Sequence, residues 1–93
     1  MTPEILRLSV EEDAPPENLS PLLCALWFAA KNQWNVAHEI VQAEDGKDAA
    51  WVHAHLHRIE GDLANASYWY RRAGKVERSS SLTDEWEEIV TAL

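Results

Sequence analysis

The chain has 93 residues and a net charge of -8, with 16 acidic against 8 basic side chains. That length holds one small domain able to bury only about 60–65% of its unfolded surface, and the negative charge, relieved by a single basic doublet at Arg71-Arg72, argues against nucleic-acid binding. Because no apolar run reaches about 18 residues and Glu4 stands where a secretory signal would be basic, the expectation is a cytoplasmic protein with no membrane contact.

Residues 1–20 contain Pro3, Pro15 and Pro16 and the acidic cluster Glu11-Glu12-Asp13, which predict an irregular acidic arm whose adhesive residues are Ile5, Leu6, Leu8 and Val10. Residues 21–93 are read as a single helical domain. Ser20-Pro21 is an N-cap followed by a proline whose missing N–H costs nothing in the first turn, so Leu22 to Lys31 form a helix. Cys24 lies in its apolar run, where burial suppresses thiol reactivity, and as the only cysteine it cannot form an internal disulfide. Asn32 is expected to cap a second helix through Glu44, with Gly46 as its stop. Asp48 is expected to cap a third helix, Ala49 to Glu60, ended by Gly61, and Asp62 a fourth, Leu63 to Ala73, ended by Gly74. After the Ser79-Ser80-Ser81 linker, Ser81 or Thr83 starts a final helix with Asp84 and Glu85 in its first turn, where acids favour the helix dipole. Its stripe of Trp86, Ile89, Val90 and Leu93 follows helical spacing and marks it as a capping helix, expected to dock on the exposed flank of the fourth helix.

These elements make an all-α chain with no strand signal, organised as two consecutive antiparallel helical hairpins. Ala37 and Val41 recur at a fixed interval as Ala66 and Tyr70, which implies one repeated supersecondary unit. Gly61, Asp62, Ala66, Tyr70 and Ala73, with Ala54 in the preceding helix, give residues 49–74 a pattern that resembles a tetratricopeptide repeat. Residues 21–44 resemble a more degenerate copy through Ala25, Phe28, Ala37 and Val41, with Asn32-Gln33 in place of the Gly-Asp turn. The spacing is shorter than the family's, His57 occupies a usual aromatic position, and no proline closes either unit.

The resemblance implies a right-handed stack of the two hairpins, with Ala50, His53, Ala54 and His57 packed against Ala66, Tyr70 and Ala73. It also implies a concave partner-binding surface lined by Leu22, Leu26, Trp51, His55 and Arg58, and an outer flank of the first helix bearing Leu23, Trp27 and Ala30. Either the N-terminal arm covers that flank or a second copy of the chain does, as a homodimer. The resulting expectation is a non-enzymatic scaffold for protein interaction or self-association, without catalytic residues or cofactor, whose partner is a protein or peptide. The alternative is a metal- or small-ligand-binding protein, with enzymatic activity open to it. It would use His53 and His57, four apart on one helix, and Glu60 in the same row. His38, on the second helix, is expected to face a different seam. A helical wheel places His53, His57 and Glu60 in solvent whereas the repeat pattern buries the histidines, so their burial is left to the tertiary structure.

Overall fold

A computed structural model describes residues 1–93 as six helices and no strand. They are α1 (Pro3–Ser9), α2 (Pro21–Ala30), α3 (Trp34–Gln42), α4 (Lys47–Ile59), α5 (Leu63–Ala73) and α6 (Leu82–Ala92). None is long and apolar enough to cross a membrane.

Side-chain caps start four of them. Thr2, Ser20, Asp62 and Ser81 each accept a hydrogen bond from the backbone N–H three residues on, removing one of the unpaired donors of a helix start. Asp48 instead lies inside the first turn of α4, with Gly46 at the cap. Asn32 does not cap α3, which begins at Trp34 and ends at Gln42. It adopts a left-handed φ of 65°, and Gly61 does the same at 83°. After each, the next amide closes the turn on a carbonyl five residues back, Gln33 N to Phe28 O and Asp62 N to His57 O, both at 2.9 Å. Asn32 thus performs the backbone task of Gly61, which Asn tolerates better than other residues with a Cβ.

These short turns fold α3 back on α2 and α5 back on α4. Small residues set the approach. Ala54, Ala66 and Ala73 are nearly or fully buried in and beside the α4–α5 seam, as is Ala37 on α3. α4 is the central element, with every residue from Ala49 to His57 buried.

Two corrections concern the chain ends. The N-terminal arm is not irregular throughout: Pro3–Ser9 is helical and Leu6 is completely buried in the core. The Thr2-Pro3 start provides a cap and a preset φ, while the gain comes from contact with α2 and α6. Trp27 Nε1 donates to Ser9 Oγ at 3.1 Å, and Lys31 Nζ reaches the carbonyls of Val10 and Glu12. Trp27 is fully buried and Leu23 nearly so, with Ala30 partly covered, so the arm packs on the flank that was expected to need either it or a second copy.

The second correction is the seat of α6. Its stripe docks across α4, α2 and α1 rather than on the flank of α5, with Trp86, Ile89 and Val90 buried and Trp86 Nε1 donating to Leu26 O at 2.8 Å.

Candidate metal centre

α4 carries His53 and His57 one turn apart, and α3 packs beside it and delivers His38. The expectation that His38 faces another seam is therefore overturned. The three imidazole centroids are 5.2 Å (His38–His53), 5.4 Å (His38–His57) and 6.0 Å (His53–His57) apart, and one ligand nitrogen from each lies within 4.8 Å of the others. His53 and His57 are both 6% exposed, so the rings are inside the fold and not in solvent as the helical wheel alone would place them.

Two indoles hold the cluster. Trp34 Nε1 donates to Leu56 O at 2.6 Å, and its ring stacks on His38 at 4.6 Å. Trp69 of α5 stacks on His53 at 3.9 Å with the planes 10° apart. Glu60 lies at the exposed end of the row, its Oε1 2.6 Å from His57 Nδ1. A carboxylate is only an acceptor, so Nδ1–H donates to it, and in the neutral ring Nε2 is the nitrogen left to ligate. This is the arrangement in which an outer carboxylate orients a ligating histidine. Glu60 is placed to orient His57, and His38 joins His53 and His57 in a three-histidine group, while the exposed Glu60 and Asp62 form a second group with His57.

The protonation state suits cation binding. Burial, reinforced by repulsion from His38 and His57, lowers the His53 pKa from 6.5 to about 4. Burial and His57 lower that of His38 as well, against a smaller opposing pull from Glu60. Both rings are therefore neutral at pH 7 with lone pairs available. His53 Nδ1 is buried and has no hydrogen-bond partner, an unusual condition for a buried polar atom. His53 and Trp69 also border an open cleft of about 460 Å³ in which Lys47 and Arg72 balance Glu44 and Asp45.

The residues expected to line a concave partner surface lie elsewhere and are largely covered. Leu26 and His55 are fully buried, Trp51 is 2% exposed, and Leu22 and Arg58 are partly exposed. α6 lies over them, and its Glu85, completely buried, accepts from His55 Nδ1 at 2.7 Å, Arg58 Nη1 at 2.8 Å, Trp51 Nε1 at 3.3 Å and the Tyr70 hydroxyl. Burial by itself would raise the Glu85 pKa, but hydrogen bonds from His55, Tyr70 and Arg58 outweigh it and hold the carboxyl at about 2. Burial and the adjacent carboxylate push the Tyr70 phenol above its ordinary value. Glu85 resembles any first-turn acid in the sequence, and no local signal marks it as the centre of a buried network. Cys24 is half-buried and its thiol pKa is raised by desolvation, in keeping with an inert packing role.

Comparison with known proteins finds no matching family model, curated protein or solved structure.

Proposed function

We propose that this protein binds a divalent first-row transition ion of the zinc class through His38, His53 and His57, with Glu60 orienting His57. One observation carries the reading, the mutual spacing of the three rings. With metal–nitrogen bonds of about 2.0–2.1 Å, a tetrahedral ion brings its ligand nitrogens to about 3.3 Å and imidazole centroids to about 5 Å from one another. The observed centroid separations of 5.2, 5.4 and 6.0 Å are close to that limit, and the ligand nitrogens, now within 4.8 Å of one another, would draw in by side-chain rotation on binding. Neutral imidazoles suit such ions, and three protein ligands leave a fourth position for water or another small donor.

The test is metal analysis of protein purified without a histidine tag, followed by cobalt titration. One equivalent of bound metal and the visible bands of tetrahedral cobalt are expected, both lost in His38→Ala. Glu60→Gln should weaken binding by about 10- to 100-fold. A chain that gives no tetrahedral cobalt spectrum, or gives it unchanged in His38→Ala, overturns the proposal.

A tetratricopeptide-like stacking of the two hairpins belongs to the same reading, supported by the matching turns at Asn32 and Gly61 and by the alanines at the helix seams. An interaction scaffold is the second reading, favoured by Ile5 and Leu8, which are 57% and 73% exposed one turn apart on α1. Light scattering tests its self-association form: a mass that rises with concentration and falls to that of one chain in Leu8→Glu supports it, and one chain at every concentration removes it.

A further inference from the structure

A second concavity, of about 250 Å³, lies between α1, the ends of α2 and α4, and the start of α6. It is separate from the histidine cluster and shares no lining residue with it. His55 lies in its wall. That side chain is fully buried, its Nδ1 is taken by Glu85, and its Nε2 is buried with no hydrogen-bond partner. The carboxylate of Glu85 accepts from Nδ1–H, and in the neutral ring Nε2 is then an acceptor without a partner, open to an O–H or N–H donor.

The rest of the lining is anion-seeking. Although the chain carries 16 acids, none lines this cavity. Arg7 does, with its guanidinium 4.5 Å from the centre of the Trp86 ring and no carboxylate partner. The cavity also meets the start of α6, where Ser81 satisfies the amides of Asp84 and Glu85 but those of Leu82 and Thr83 make no hydrogen bond. Two free N–H groups at a helix N-terminus add partial positive charge beside the arginine. The nearby Glu85 charge is already opposed by Arg58, and Ala29 O at the end of α2 accepts from Asn32 N, so neither presents a free acceptor. Trp86, Ile59 and Ala30 supply apolar walls, and the Trp86 indole is fixed by its bond to Leu26 O.

We propose that this cavity binds a short aliphatic hydroxycarboxylate. The carboxylate meets Arg7 and the amides of Leu82 and Thr83, the hydroxyl donates to His55 Nε2, and the hydrocarbon body lies against Trp86 and Ile59. A cavity of about 250 Å³ accommodates such a molecule.

The test is amide and indole NMR titration of metal-free, chelator-treated protein with 2-hydroxyisobutyrate, so that chelation of an ion at the histidine cluster contributes nothing and the metal proposal stands or falls separately. Saturable shifts at Leu82, Thr83 and the Trp86 indole are expected, with a dissociation constant near about 1 mM for so small a probe. Isobutyrate, lacking the hydroxyl, and isobutyramide, lacking also the charge, should bind at least about tenfold more weakly. Arg7 is exposed, so Arg7→Gln should leave the fold intact and weaken binding by about tenfold or more. Absence of saturation by about 20 mM overturns the proposal. Equal affinity for all three probes, affinity unchanged in Arg7→Gln, or shifts confined to His38, His53 and His57 also overturn it.

Discussion

Replacing Glu85 by Gln keeps the side-chain shape and removes the charge on which Arg58, His55, Tyr70 and Trp51 converge. The carboxyl is held at about 2 against an ordinary 4.5. At about 1.4 kcal/mol per pKa unit, that depression corresponds to about 3 kcal/mol of folding free energy at neutral pH. Loss of one partner from a buried ion pair costs a similar amount, about 3–5 kcal/mol, because Arg58 then faces a neutral amide. A domain of this size has about 5–14 kcal/mol in total, so a large share rests on one side chain of α6. The expected fall in melting temperature is about 12–24 °C. A thermal melt reads that shift, and urea unfolding at pH 7, followed by tryptophan fluorescence, measures the free-energy loss. Because the folded-state pKa is depressed, the contribution is complete above about pH 4.5 and disappears as pH falls toward about 2. Glu85→Gln should therefore be less stable at pH 7 and lack this part of the parent's acid dependence. A variant within about 0.5 kcal/mol of the parent at pH 7, or one with the same acid profile, refutes the assignment of the network as a clamp for α6.

His53 defines a separate window: the folded chain keeps its ring neutral to about pH 4, while the unfolded chain takes up a proton near 6.5, so stability falls as pH drops between those values. In metal-free protein His53→Asn should flatten that slope, by at most about 1.4 kcal/mol per pH unit, as read from urea midpoints at several pH values. Leu6→Ala should cost about 2–5 kcal/mol in the same assay, because the fully buried side chain leaves a cavity in the α1 contact; a cost below about 0.5 kcal/mol would mean that α1 is not docked in solution. Ala66→Leu should cost about 1–3 kcal/mol by overpacking the α4–α5 seam, and an unchanged thermal melt would count against that close approach.

Ser20-Pro21, Asp62 and Gly74 announce helix ends through hydrogen bonds and backbone preferences that act within one turn, so α2 and α5 are legible in the sequence almost to the residue. The apolar stripe of α6 is legible for the same reason, since Trp86, Ile89 and Val90 share a face wherever the helix is placed. Its seat is not. Whether Glu85 meets solvent or a buried His55 depends on groups 30 residues apart in the chain, and the alternation of apolar and charged residues around it reads the same in either case. The helix at Pro3–Ser9 escapes notice because so short a segment is marginal alone and forms by burying Leu6 against the rest of the chain. The spacing of His53 and His57 is a local property, visible at once, whereas the arrival of His38 depends on how α3 packs against α4. Local sequence thus determined which residues share a helix and a face; tertiary packing decided which faces meet, because that depends on shape and burial summed across the whole chain.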